Sequence, residues 1–227
     1  MNGPTSAAEA DASWKEPVRT KTLLCYFLMH CGYPLSFYLG YIYFNPMLKD
    51  NFGLSTEDII LHNLYLSLFM LLASTTLLFL SAKFHPLRIL RFRWIFTFLT
   101  MLLLPLLITN VNSSFQLLSV QALIVTFNLT GLPADAVFYY HLPIFRRFTL
   151  ATFLYALSRT IMYVITSFGL VYLGSYLGVY GLWALILPIT FGYLYGIIHF
   201  EELERNLGFY PSKRIKLQGQ FIKRTMT

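Results

Sequence analysis

QLLSVQALIVTFNLTGLPADAVFYYHLPIFRRFTLATFLYALSRTIMYVITSFGLVYLGSY, residues 116–176, decides the fold. Two apolar segments flank the turn at residues 142–147 (LPIFRR), and each exceeds the ~20 residues that cover the apolar core of a bilayer at 1.5 Å rise per residue. The turn is therefore predicted at a membrane edge. In the first segment Gln121, Asn128 and Asp135 recur every seven residues, which a continuous helix places on one side. In the second, Thr152, Arg159 and Thr166 repeat that interval, with Tyr155 and Tyr163 flanking Arg159 on the same face. Lipid outside and a polar stripe inside is the shared design. A charge at mid-depth costs at least ~2.5 kcal/mol on insertion scales, so Arg159 is expected to face a bundle interior or a wet cavity. Arg159 is the leading candidate for a solute or ion pathway. Its alternative role is structural: bonding helix carbonyls or a polar neighbour and locking the bundle.

Composition agrees with this reading. The 227 residues are 56% hydrophobic and 18% aromatic with only 12% charged, and the mean hydropathy is +0.59, which excludes an ordinary soluble domain. A formal charge of +7 raises the question of nucleic acid. The basic residues are dispersed between apolar segments, however, and form no stripe with exposed aromatics, so no nucleic-acid partner is expected.

Beyond residues 116–176 the same pattern continues. Apolar segments at 23–44, 59–82, 90–109, 116–140, 148–173 and 178–200 predict an all-α integral membrane protein of six transmembrane helices. Residues 1–20 read as a polar cytoplasmic tail, 21–202 as the membrane domain and 203–227 as a basic cytoplasmic tail. Of seventeen Lys and Arg residues, fifteen fall on one side of this arrangement, among them Lys83, Arg88, Arg91, Arg93, Arg146 and Arg147. Lys49 alone falls on the other, so both termini are expected in the cytoplasm, with the chain in the cell (inner) membrane. In the first span Cys31, Tyr38 and Asn45 share a side, and in the second Asn63, Ser67 and Ser74 do. Pro34, Pro105, Pro133 and Pro188 lie within spans, where kinked helices lining a cavity re-satisfy the freed carbonyls.

No enzyme constellation has the required spacing. His30, His62, His85, His141 and His199 are scattered, without an HxxxH or HExxH pair, so neither a metal site nor a cofactor is expected. Cys25 and Cys31 are six residues apart on one predicted helix, off a shared face, and read as buried thiols. Gly174-Ser175-Tyr176-Leu177-Gly178 places its serine one position early for a nucleophile elbow and reads as a tight turn.

Several strings carry a family resemblance. Leu142-Pro143-Ile144-Phe145-Arg146-Arg147-Phe148-Thr149, Phe37-Tyr38-Leu39-Gly40-Tyr41 with Asn45-Pro46, Phe52-Gly53-Leu54-Ser55, and residues 199–211 are similar to parts of the C-terminal half of a major facilitator transporter. The branch they resemble is the metabolite:proton symporters, proline/betaine-transporter-like, and the likeness covers about residues 20–212. It departs at the loop after the second span, where Ser81 and Lys83 fit but Ala82 replaces an acid, His85 a glycine and Pro86-Leu87 two arginines. The fifth span departs too, with Ala156-Leu157-Ser158 where the family has Asn-x-Ser. The resemblance implies one six-helix half of the fold, built of two three-helix repeats. It also implies transport of a small polar or zwitterionic solute, ion-coupled, by a chain that needs a second six-span half or a homodimer. The alternative is a transport-dead relic or a regulatory membrane subunit.

The expected pathway comprises Arg159, Asn128, Asp135, Gln121, Tyr38, Tyr155 and Thr152, and the expected cytoplasmic loops Pro143, Arg146, Arg147 and Lys83. Counted from the turn, Arg159 lies about 18 Å, Asn128 about 20 Å and Asp135 about 9 Å deep. Arg159 is thus expected inward near Asn128, with Asp135 near the cytoplasmic mouth as a gate or proton-accessible acid. An ion pair of Asp135 with Arg146 or Arg147, closing the hairpin, is the alternative.

Overall fold

The computed structural model describes residues 19–210, so most of both expected tails, 1–18 and 211–227, lies outside the described residues. Among the described residues all regular structure is helical. α1 spans Thr20–Phe37 and runs on through a π-helical turn at Tyr38–Ile42, and short α2 covers Asn45–Asp50. α3 is Thr56–Ser81, α4 Pro86–Thr109 and α5 Ser114–Thr126. Short α6 covers Asp135–Tyr140, followed by α7 over Arg147–Leu177 and α8 over Gly181–Asn206.

Helix starts follow local chemistry. Ser55 caps α3 in a capping box, its hydroxyl accepting from the Asp58 N–H while its own N–H donates to the Asp58 carboxylate. Ser113 caps α5 by accepting from the Gln116 N–H. Gly178, at φ +58°, supplies the left-handed turn that ends α7. α8 then folds back, and Gly181 and Gly169 lie where a Cβ would press on Leu173 and Leu185 respectively.

Three helical stretches are long and apolar enough to cross a membrane: Thr56–Ser81, Pro86–Thr109 and the combined Ile144–Asn206, bent at the turn before α8. Ser114–Thr126 is apolar but shorter. The single helix expected over 116–140 does not exist. It is broken at residues 127–134 into α5 and α6, and Pro133 lies in this break instead of kinking a continuous helix.

α1 is the central element, packed between α7 and α8. Two apolar clusters stack along it. One gathers Cys25, Tyr26, Met29, Phe138, Tyr193 and Phe200, and the other Cys31, Leu35, Leu39, Leu104, Ile124 and Ile186. Cys25 and Cys31 are free, buried thiols. Tyr38 packs against the second cluster, so the side it shares with Cys31 faces the core and not a cavity.

At the basic end, two buried carboxylates tie the bundle. Arg91 pairs with Glu201 at 3.0 Å, and the Tyr210 hydroxyl donates to Glu201 at 3.1 Å. Glu204 meets His141 at 2.7 Å and His85 at 3.6 Å. Burial lowers the His85 pKa, against the opposing pull of Glu204.

Candidate functional site: a broken helix and an open aromatic face

A backbone that leaves helical geometry loses its internal partners, and away from water each freed carbonyl needs a donor. The break at 127–134 obtains them from α4 and α8. Arg93 donates one guanidinium nitrogen to the Asn128 carbonyl and, at 2.6 Å, to its side-chain oxygen. Its other terminal nitrogen donates to the Leu132 carbonyl at 2.9 Å. The Thr97 hydroxyl donates to the Phe127 carbonyl, and the Tyr193 hydroxyl to the Thr130 carbonyl at 2.7 Å. From α1, Ser36 accepts the Leu129 N–H at 3.2 Å. Gly32 permits this approach, since a Cβ there would overlap the Leu129 side chain.

Arg93 is therefore no membrane-edge cation. It is 3% exposed, and a planar fork reaching three oxygens is what an arginine supplies and a lysine does not. Sequence reasoning grouped it with Arg88 and Arg91. The available signal was helical phase, because at about 100° per residue Arg93 lies on the far side of α4 from both.

The heptad stripe of residues 121, 128 and 135 is dispersed. Gln121 is fully buried, donating to the Gly40 carbonyl at 2.8 Å and meeting His62 at 2.7 Å. It joins α5 to the π turn and α3, a lock and not a lining. Asn128 is taken by Arg93, so the expected Arg159–Asn128 neighbourhood does not form. Arg147 donates to the Leu142 and Tyr140 carbonyls and closes the turn that way, while Arg146 is exposed and Pro143 buried. Lys83 is exposed in the turn between α3 and α4.

α7 buries Ser158, Met162, Thr166 and Leu170 against the bundle. Thr166 thus leaves the face expected for it and bonds the Met162 carbonyl at 2.8 Å. Thr152, Tyr155 and Tyr163 stand exposed on the open side, with Arg159 half-buried among them. The Arg159 guanidinium lies over two rings, 4.5 Å from the Tyr33 centroid and 4.3 Å from that of Tyr155.

From Arg159 a chain of contacts runs both ways along α1. On one side Tyr33, Phe37 and Tyr41 form a ladder with centroid spacings of 6.2 and 5.0 Å. Tyr41 reaches α3, where Ser67 donates to its hydroxyl at 3.5 Å and Met70 accepts from it at 3.7 Å. On the other side the Tyr155 ring lies 5.3 Å from that of His30, whose Nε2 is 4.0 Å from Asp135 Oδ1. Asp135 opens α6 and bends back over Gly131, where any Cβ would collide with its carboxylate.

His30 and Tyr26 were not singled out by the sequence, since a histidine inside an apolar run carries no spacing signal. Among the described residues no group of three or more His, Cys, Asp or Glu is placed to hold a metal. Compared with protein-family models, curated proteins and solved structures, the chain matches none.

Proposed function

We propose that this chain is a six-span half of a solute transporter in the cell membrane, working with a second six-span half or a second copy of itself. The observation that carries the proposal is the continuous file from Asp135 through His30, Tyr155, Arg159, Tyr33, Phe37 and Tyr41 to Ser67. It lines up a cation and a row of phenols on the open side of the bundle and leads from them to a buried histidine and acid. Lipid is a poor solvent for such a face. A second helical layer closing over it would turn the face into an enclosed path.

The broken α5–α6 segment supports the same reading. Transporters build solute sites from discontinuous helices at the junction of two repeats, where irregular backbone borders a cavity. The six apolar stretches fit six crossings, with α1 and its π turn forming the first and α5 with α6 the fourth. The basic residues then lie on the cytoplasmic side.

The test is gentle solubilisation with native mass measurement, followed by uptake in proteoliposomes. A complex with a six-span partner or a homodimer, active in uptake of a small polar solute, is expected. A monodisperse monomer without uptake would refute the proposal and leave a regulatory or relic role.

A further inference from the structure

Four side-chain atoms beside the break are buried and have no hydrogen-bond partner: the donor Arg93 Nε, on the fork already described, and three that can accept, Tyr26 Oη, His30 Nε2 and Asp135 Oδ1. Tyr26 is fully buried and His30 is 7% exposed, so neither is rescued by bulk water. The three belong to one cluster, with Tyr26 and His30 ring centroids 4.4 Å apart and His30 Nε2 4.0 Å from Asp135 Oδ1. That last separation is too long for a hydrogen bond. It does suit a third atom standing off the axis: with arms of about 2.8–3.0 Å, the angle at that atom is about 90°.

The chemistry of the three defines the occupant. A carboxylate oxygen only accepts, a phenol oxygen and a neutral imidazole nitrogen can accept, and orphaned buried acceptors favour a donor. We infer that Tyr26, His30 and Asp135 form a subsite for an N–H-bearing ammonium group of a free solute, and that it discriminates against N-methylated amines. A quaternary ammonium offers no N–H and binds best on free aromatic faces. Of the rings beside the cluster, Tyr155 is already covered by the Arg159 guanidinium. Arg159 is in turn the cation nearest this file that could meet a carboxylate on the same solute. Other polar groups packed here are Tyr139, whose ring lies 6.2 Å from that of Tyr26 and whose hydroxyl is the neighbour of the Tyr26 hydroxyl, and Tyr193 with Arg93 beside it.

This inference rests on the solute-pathway reading and names the ligand class within it. The test uses the chain, with any co-purifying partner, in phosphatidylcholine nanodiscs. Glycine and its N-methyl, N,N-dimethyl and N,N,N-trimethyl derivatives serve as probes, because they share a carboxylate while N–H donors fall one at a time. Affinity is expected to drop stepwise, by at least about tenfold from glycine to the trimethyl compound, as lost charge-assisted bonds imply. Asp135→Asn should flatten the series with an unchanged melting temperature. Tyr26→Phe, which keeps the ring, should weaken glycine and leave the trimethyl compound unaffected.

Equal affinity for all four would mean that ordered water alone satisfies these atoms, and would overturn the inference. Loss of glycine binding in phosphatidylethanolamine discs would assign the subsite to a lipid headgroup and overturn it equally. Absence of binding by any probe in a chain that assembles with a second half would overturn the subsite and leave the transporter reading standing. Absence of both binding and assembly would sink the two together.

Discussion

Replacing Arg93 by methionine is the most searching perturbation of this fold. The substitution keeps an apolar stem of similar length and removes the donors that serve the Asn128 carbonyl, the Asn128 side-chain oxygen and the Leu132 carbonyl. Each buried acceptor stranded in this way costs about 1–3 kcal/mol, or ~3–9 kcal/mol for three. Against this, the folded state no longer carries a guanidinium that is 3% exposed, and relief of that desolvation returns several kcal/mol. The net loss is therefore about 2–4 kcal/mol. At roughly 2–4 °C per kcal/mol for a chain of this size, the apparent melting temperature in detergent should fall by about 5–15 °C. Hydrogen exchange should localise the loss to residues 127–134. Arg93→Lys, a point donor without the fork, should fall between parent and methionine variant. Lys83→Met, at an exposed turn position, is the control and should stay within about 0.5 kcal/mol. A melting temperature for Arg93→Met within 2 °C of the parent, with unchanged exchange at the break, would refute the claim that this arginine holds the broken helix.

The remaining predictions concern the face, the basic end and the helix contact. Arg159→Met removes a half-buried cation held by two aromatic rings, so fold stability should drop by no more than ~1–2 kcal/mol while solute uptake is lost; normal uptake by that variant would remove Arg159 from the pathway. Burial holds the His85 imidazole below its ordinary pKa near 6.5, so on acidification the unfolded chain takes up this proton first and stability falls below about pH 6.5. His85→Gln should flatten the melting-temperature profile below that pH, and a profile identical to the parent's would exclude His85 as its source. Gly32→Ala inserts a Cβ against the Leu129 side chain and carbonyl, and the overpacking should cost about 1–3 kcal/mol, measured by the same melts; a neutral substitution would show that α1 and the break are not in close contact.

What the sequence determined by itself was the class of the molecule and the punctuation of its helices. Apolar runs bounded by charge or turn residues mark helical segments because their length and hydropathy are properties of local chain alone. Five of the six expected segments overlie α1, α3, α4, α7 and α8 accordingly. The Ser55 and Ser113 caps are local in the same sense, whereas residues 174–177, expected in a tight turn, continue α7, which ends only at Gly178. Only the tertiary structure decided the break at 127–134. Phe127, Leu129, Leu132 and Ala134 keep that stretch apolar, so hydropathy does not register the lost helical bonds, and Gly131 and Pro133 alone hint at them. Whether such a stretch unwinds depends on partners brought from elsewhere, here the donors Arg93, Thr97 and Tyr193 and the acceptor Ser36. Arg159 illustrates the same division: its depth follows from counting residues, whereas the side it presents was settled when Ser158 and Met162 packed against the bundle and left the arginine between Tyr33 and Tyr155. Hydrophobicity is read residue by residue, but the satisfaction of a buried polar group is a pairwise property, and its partners lie up to 177 positions away in this chain.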